Sequence, residues 1–183
     1  MSFSVKPSKK SGVSRKVALV GVMAATVECG KLALAFVPNV EVVTLFLALF
    51  SYVFGVLGLA AAFIFVCIEP LIWGFGTWVV SYLIYWPTVS IVFFFLGKVK
   101  LKNRFAISLI ASFLTFLFGV LTSLVDIGLL SGFFDSFFER FFIYYARGAV
   151  FYLVHVVSNA IIFFSLFKFL LGKLEKIKLK IFN

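Results

Sequence analysis

Residues 77–104 read TWVVSYLIYWPTVSIVFFFLGKVKLKNR and decide the fold class. Residues 77–96 carry no charge, and about 20 such residues are enough for a helix to cross the hydrocarbon core of a bilayer. The run 91–96 is apolar without interruption, whereas strands of a membrane β-barrel alternate polar and apolar residues. Four basic residues follow between positions 98 and 104. The stretch therefore predicts a membrane-spanning α-helix that ends at a positively charged membrane surface.

The composition of the whole chain agrees with this stretch. Of 183 residues, 63% are hydrophobic and 13% are charged, whereas a soluble domain is about 45–50% apolar and about 25% charged. Phe alone occurs 27 times, so a water-exposed surface would carry large apolar patches. Disordered chains are poor in aromatic residues, which excludes that class as well. The composition predicts an integral membrane protein.

Six apolar stretches are long enough to be considered as spans. They predict an all-α bundle of six transmembrane helices at 17–37, 42–57, 59–73, 77–96, 105–131 and 142–171. Residues 133–141 alternate acidic residues with aromatic pairs, so we expect an interfacial helix or lid there. The chain is then one membrane domain, with a basic N-terminus (1–16), the bundle (17–171) and a basic C-terminus (172–183).

The positive charges predict the orientation of this bundle. All basic residues except Lys31, Arg140 and Arg147 fall in clusters at 6–16, 98–104 and 168–180. Six crossings put all three clusters on one side, which the positive-inside rule assigns to the cytoplasm. We therefore expect cytoplasmic termini. The net charge of +10 does not indicate nucleic-acid binding, because there is no soluble scaffold to display a basic face.

Polar residues inside the spans are the candidates for function, because they are costly in lipid. Glu28 and Lys31 are three residues apart on the first helix, and we expect a structural ion pair between them. Cys29 and Cys67 lie in apolar stretches without metal-ligand spacing, and we expect them to be buried free thiols.

Aromatic and polar side chains concentrate at the predicted outer ends of the helices. Aromatic walls with a few amides and carboxylates are typical of a pocket for a flat organic ligand. Because His155 has no partner ligands in the sequence, we expect a hydrogen-bonded role for it and no metal site. The predicted substrate-binding residues are Asn39, Glu41, Glu69, Trp73, Trp78, Tyr82, Tyr85, Tyr144, Arg147, His155 and Asn159.

Small residues recur at every fourth position of the first helix, at Gly21, Ala25, Cys29 and Ala33. Such a stripe lets another helix approach closely in lipid. Two interpretations stay open here: packing inside the bundle, or docking of a separate membrane subunit through Gly21, Ala25 and Cys29.

Motifs for chemistry are missing from the sequence. There is no Gly-x-x-x-x-Gly-Lys-Ser/Thr phosphate loop, no His-Glu-x-x-His and no Gly-x-Ser-x-Gly. We therefore expect no catalytic residues and no enzyme activity, but a binding component that obtains energy from other subunits.

The chain resembles the substrate-binding S-components of energy-coupling factor (ECF) transporters, a kind of ABC transporter that imports vitamins. The resemblance rests on size, on six predicted helices, and on Gly21-x-x-x-Ala25, where the family usually has Ala-x-x-x-Ala. The segments PNVE (38–41), FG (54–55), EPLIWGFG (69–76) and WP (86–87) are similar to a subgroup associated with uptake of cobalamin, or vitamin B12.

This resemblance implies a prokaryotic plasma-membrane subunit that binds a vitamin, with cobalamin or another corrinoid expected first, and has no cofactor of its own. It implies a ligand near the outer face under the loops after helices one, three and five. It also implies rotation of the whole subunit in the lipid, docking to a scaffold transmembrane subunit, and ATP use by two partner ATPase subunits. A different vitamin, a stand-alone ion-coupled transporter, and an enzyme or assembly factor of the membrane stay open as alternatives.

Overall fold

The computed structural model describes residues 9–182, with side chains from residue 12 onward, so Lys6 of the N-terminal basic cluster lies outside the described residues. The described part is all-helical and contains no strand. Its helices are α1 (Lys9–Ala33), α2 (Val43–Phe54), α3 (Val56–Trp73), α4 (Trp78–Lys98), α5 (Arg104–Ser131), α6 (Phe137–Ile162) and α7 (Lys168–Phe182), with a π-helical segment (Phe163–Phe167) joining α6 to α7.

Four helices are long and apolar enough to cross a membrane: α3, α4, α5 and the continuous helix Phe137–Phe182. Their outer surfaces carry large exposed apolar side chains, such as Leu109, Val150 and Leu153. Such a girdle is unfavourable in water and suits a lipid environment. These features are consistent with a multi-pass membrane protein.

The two remaining predicted spans differ from this pattern. α1 includes charged residues, and α2 has only 12 residues, which corresponds to about 18 Å of helix against a hydrocarbon core of about 30 Å. Every residue of α2 except Phe46 is buried. The short helix is therefore enclosed by its neighbours, which explains how it avoids a mismatch with lipid.

α2 and α3 are separated by a single residue, Gly55. Its φ of 64° and ψ of −125° lie in a region that side-chain-bearing residues avoid. One turn further on, Gly58 packs against the backbone of Phe50 and Ser51, where there is no room for a Cβ atom. These two glycines allow the tight helical hairpin that the sequence predicts.

α1 ends at Ala33, four residues before the predicted boundary. The amide N–H groups of Leu34 and Ala35 donate to the carbonyls of Lys31 and Leu32, three residues earlier, which tightens the last turn. Pro38 then disfavours helix at Val37, which precedes it. Residues 34–42 consequently form a loop, which we call the first loop.

The prediction of a separate helix or lid at 133–141 is wrong. Residues 137–141 are instead the first turns of α6. The Arg140 guanidinium donates to the carbonyls of Ser131, Gly132 and Phe134, and this fixes the turn between α5 and α6.

The π-helical segment lets one long helix keep its aromatic face against the core. Phe163 and Phe167 are both buried, stack on each other and contact the Phe93 ring. A π-helical turn contains extra residues, so it rotates the following side chains relative to an α-helix. The Phe167 ring thereby also reaches Tyr52 on α2.

The helices alternate between two ends of the bundle. One end, which we call the basic end, gathers the start of α1, the Gly55 turn, the loop between α4 and α5, and α7. Arg15 lies beside Lys180, the Lys178 ammonium donates to the Val53 carbonyl at 2.6 Å, and Lys102 pairs with Glu175 at 2.8 Å. The opposite end contains the first loop and the turns 74–77 and 132–136.

Candidate functional site

A cavity of about 240 Å³ lies beneath the first loop. Residues of this loop form one wall, and α1, α4, α5 and α6 contribute the others. Its lining residues are Lys31, Leu34, Ala35, Val37, Pro38, Asn39, Val40, Glu41, Val43, Tyr82, Trp86, Phe118 and His155. The cavity therefore combines an apolar rim with aromatic rings and a few charged groups, as organic-ligand sites do.

Glu41 connects the first loop to α2 and α6. Its carboxylate accepts hydrogen bonds from the Thr44 amide at 2.8 Å, the Thr44 hydroxyl at 2.6 Å and the Asn159 amide at 2.8 Å, and it lies 3.2 Å from His155 Nε2. Burial raises the pKa of this loop carboxyl, but the hydrogen bonds from His155, Thr44 and Asn159 outweigh burial and hold the pKa below its ordinary value. Glu41 is therefore an ionised anchor for the loop.

A second bond ties the same loop to α6. The Ser158 hydroxyl donates to the Asn39 carbonyl at 3.1 Å. Asn39 has a φ of 58°, a left-handed conformation that asparagine tolerates better than most residues. The loop is thus closed over the cavity by side chains from one helix.

Lys31 pairs with Glu69 of α3, so the predicted pairing with Glu28 is corrected. Glu69 is fully buried, whereas the Lys31 side chain is 22% exposed and reaches the cavity wall. The Lys31 ammonium also lies 5.9 Å from the ring centre of Phe65, 5.4 Å from that of Trp73 and 5.5 Å from that of Tyr82. α1 packs against α3, and this contact brings Glu69 to Lys31. The sequence prediction considered only pairs three or four residues apart on one helix, so it did not include Glu69.

A series of aromatic contacts forms the far wall of the cavity. Tyr82 contacts Trp78 and Trp86 edge to face, with ring centres 5.0 and 5.4 Å apart. Phe118 of α5 contacts Trp86 at 6.0 Å and His155 at 5.7 Å. The Trp86 Nε1 group is buried and has no hydrogen-bond partner among the described residues. The rings of Tyr82, Trp86 and Phe118 therefore give the cavity an aromatic wall.

The structure brings most of the predicted binding residues to this region. Asn39, Glu41, Tyr82 and His155 line the cavity. Five other predicted residues do not line the cavity but contact residues that do. They are Glu69, Trp73, Trp78, Tyr85 and Asn159. The turns 74–77 and 132–136 contribute no lining residue, in contrast to the expectation that three loops cover the ligand.

Tyr144 and Arg147 lie apart from the cavity. The Tyr144 hydroxyl donates to Asp126 at 2.8 Å, and Thr77 donates to the same carboxylate. This cluster ties the turn after α3 to α5 and α6. Arg147 is exposed. Tyr152, further along α6, forms a hydrogen bond with Ser123.

Sequence reasoning missed Lys31, Trp86 and Phe118, which line the cavity. Trp86 belongs to the aromatic segment after α3, so its residue type was a usable signal. Phe118 lies in a uniformly apolar helix, and nothing in the sequence distinguishes it from neighbouring phenylalanines that face outward, such as Phe113 and Phe116.

The described residues contain no group of three His, Cys, Asp or Glu side chains that could hold a metal ion. Cys29 and Cys67 are free and exposed on helix surfaces, so the prediction that they are buried is wrong. Small apolar side chains are equally suited to lipid-facing and core-facing positions, which is why the sequence did not separate the two.

The small-residue stripe lies on the outside of α1. Gly21, Ala25, Cys29 and Ala33 are exposed, and a Cβ atom added at Gly21 would meet no atom within 4 Å. The opposite face of α1 carries the buried residues Val20, Met23, Ala24 and Val27. The stripe therefore does not pack inside the described bundle.

No protein-family model, no curated protein and no solved structure matches this chain.

Proposed function

We propose that the chain is the substrate-binding subunit of an ECF-type ABC transporter. The cavity beneath the first loop carries this proposal. It lies at the end of the bundle opposite the basic clusters, so a cytoplasmic basic end makes it accessible from outside. In this arrangement six helices cross the plasma membrane and both termini are cytoplasmic.

The exposed stripe on α1 supports a docking role. A flat face of Gly, Ala and Cys lets a partner helix come close, and α1 offers such a face at Gly21, Ala25 and Cys29. The partner is the scaffold transmembrane subunit, and two ATPase subunits supply the energy, because the chain has no phosphate loop of its own.

The ligand in this proposal is a vitamin, and the volume of the cavity bears on its size. About 240 Å³ is below the range of about 300–1,000 Å³ that is usual for sites of drug-sized ligands. A compact single-ring or two-ring vitamin fits this volume. Cobalamin, the ligand expected from the sequence, requires the first loop to move away from Glu41 and Ser158.

A stand-alone ion-coupled transporter is the second candidate. It is favoured by one observation: Glu28, Lys31 and Glu69 form an ionisable cluster between two helices, as coupling sites in membranes do.

Purification in mild detergent, followed by mass spectrometry, tests both proposals. We expect a small vitamin and an ATPase-containing complex to copurify with the chain. Trp86→Phe reduces the aromatic surface that lines the cavity and should weaken vitamin binding about two-fold or more, since aromatic ring contacts contribute about 0.5–1.5 kcal/mol. Trp78→Phe, behind Tyr82, is the matched control. Vitamin uptake into proteoliposomes that contain only this chain would contradict the S-component proposal and favour the second candidate.

A further inference from the structure

The region around Lys31 has the composition of a cage for an ammonium group. The Lys31 nitrogen contacts one fully buried carboxylate, Glu69, and lies within 6 Å of three ring centres, those of Phe65, Trp73 and Tyr82. Rings and carboxylates arranged in this way attract organic cations, because the ring faces are negative and water is excluded. The protein fills the cage with its own side chain.

The cage contains two carboxyl groups, those of Glu28 and Glu69, but only one ammonium group. Both oxygens of Glu28 are buried and receive no N–H or O–H from the described residues, and the same holds for Glu69 Oε1. Glu28 lies close enough to Glu69 for a proton on one carboxyl to be shared with the other, and it also interacts electrostatically with Lys31. Two carboxyl groups thus share one ammonium. A second cation beside them would favour the ionised form of both carboxyls, so this cluster is suited to one.

Lys31 is in a position to make room for that cation. It is three residues from Glu28 on the same helix, a spacing at which the two side chains reach each other. Its side chain is partly exposed toward the cavity, whereas Glu69 is not exposed. A swing of the flexible lysine stem toward Glu28 would leave Glu69 and the three rings to a ligand.

The cage is continuous with the cavity through Tyr82. The ring of Tyr82 lies beside the Lys31 nitrogen and also lines the cavity together with Trp86 and Phe118. A flat ring stacked on these aromatic side chains can direct a charged nitrogen toward Glu69. Glu41, the acidic residue that lines the cavity, already accepts hydrogen bonds from Thr44 and Asn159, whereas Oε1 of Glu69 receives none from the described residues, so Glu69 is the freer partner.

We propose that the ligand of this cavity is an aromatic organic cation, whose charged nitrogen replaces the Lys31 ammonium between Glu69 and the rings of Phe65, Trp73 and Tyr82 while Lys31 moves to Glu28. The proposal rests on the proposed function in one respect only, that the cavity binds a small organic ligand.

Three single-ring probes of nearly equal shape test this charge preference: the cation 1-methylnicotinamide, neutral nicotinamide and the anion nicotinate. We would measure their dissociation constants on the purified full chain in nanodiscs by saturation-transfer difference NMR. The cation should bind at least about ten-fold more tightly than the neutral probe, and the anion most weakly. Tightest binding of nicotinate, equal affinities, or no saturable binding of the cation would overturn the proposal.

Variants separate the roles of the two charged side chains. Lys31→Met removes the competing ammonium and should strengthen binding of the cation. If Lys31 instead binds an anionic ligand, Lys31→Met should weaken binding of nicotinate and leave the cation without a gain in affinity. Glu28→Gln removes the carboxylate to which Lys31 moves and should reduce the preference for the cation to about two-fold or less. If Lys31→Met does not fold, the affinities of Glu28→Gln for the three probes are sufficient to test the proposal. Glu139→Gln, at an exposed position, is the matched control and should leave all three affinities unchanged.

The outcome is independent of the transporter assignment. Uptake by the chain alone would end the S-component proposal but leave the order of the three affinities intact. Reversal of that order would end the cation proposal, while uptake that depends on ATPase subunits would still support the transporter.

Discussion

Glu41 belongs to the first loop, yet its hydrogen bonds connect that loop to two helices. Thr44 of α2 and Asn159 of α6 both donate to its carboxylate, and His155 lies beside it. Hydrogen bonds to an ionised group are worth more than neutral ones, about 1.5–3 kcal/mol. Glu41 therefore makes the larger share of the side-chain hydrogen bonds that hold the first loop over the cavity, and the bond from Ser158 to Asn39 adds to them.

Glu41→Gln should destabilise the closed loop, because glutamine cannot accept hydrogen bonds at both ends of its amide. We expect the melting temperature to fall by roughly 5 °C and ligand binding to weaken. Thermal unfolding in detergent measures the first effect, and Glu139→Gln is the control. An unchanged melting temperature would show that the loop is held by other contacts.

The pKa of Glu41 also predicts a pH dependence. Because the pKa is lowered in the folded protein, the contribution of Glu41 to stability is complete above the pKa of the unfolded chain, about 4.3. It is lost as the pH falls through the lower folded-state value. Between pH 5 and pH 3, the wild-type protein should therefore lose more stability than Glu41→Gln does. Parallel loss in the two proteins would contradict this assignment.

Among the elements, α1 presents two faces with different neighbours. Its buried face packs on the bundle, while Gly21 and Ala25 lie on the exposed face. A side chain added at Gly21 meets no atom of this subunit. Changes on this face can therefore affect a partner without affecting the fold.

In the proposed transporter, Gly21→Leu or Ala25→Leu should abolish uptake and leave ligand binding unchanged, because added bulk would separate α1 from the partner helix. Val150→Leu, an exposed change on α6, is the control and should transport normally. The measurements are uptake of labelled vitamin in cells and binding to the purified subunit. Normal uptake by both stripe variants would exclude this face as the docking surface.

The α2–α3 turn depends on the backbone freedom of Gly55. Gly55→Ala forces a Cβ atom into a conformation of positive φ and against the Phe94 ring at 3.2 Å, and should cost about 1–3 kcal/mol. Gly172→Ala, in α7 where nothing lies within 4 Å, should instead stabilise by up to about 1 kcal/mol. Opposite shifts in melting temperature are expected. A drop of equal size in both variants would contradict the role of Gly55.

For the whole molecule, the arrangement of ends predicts which residues are accessible from each side. In a chain with Cys29 and Cys67 replaced by Ala, Phe36→Cys in the first loop should react with a membrane-impermeant maleimide in intact cells. Val13→Cys and Val99→Cys, at the basic end, should react only after permeabilisation. All three positions are exposed in the structure. Labelling of Val13→Cys in intact cells would refute the proposed orientation.

Much of the architecture could be predicted from the sequence. The lengths of the apolar stretches indicate where helices run, and the positions of Gly and Pro indicate where the chain turns between them. The hairpin at Gly55 and the first-loop residues Asn39 and Glu41 that line the cavity follow from such signals. The true partner of Lys31 and the role of Phe118 do not, since both depend on which faces of different helices meet. In a bilayer, residues facing lipid and residues facing the core are both apolar, so periodicity carries little of that information.

The uninterrupted helix from Phe137 to Phe182 contains 46 residues, which corresponds to about 69 Å of rigid length. It carries Asn159 and Ser158, which bond to the first loop, and Lys178 and Glu175, which bond to residues of the basic end. Tilting this helix by roughly 10° as a rigid rod shifts its two tips about 12 Å relative to each other. A tilt that releases the first loop therefore also displaces α7 at the basic end.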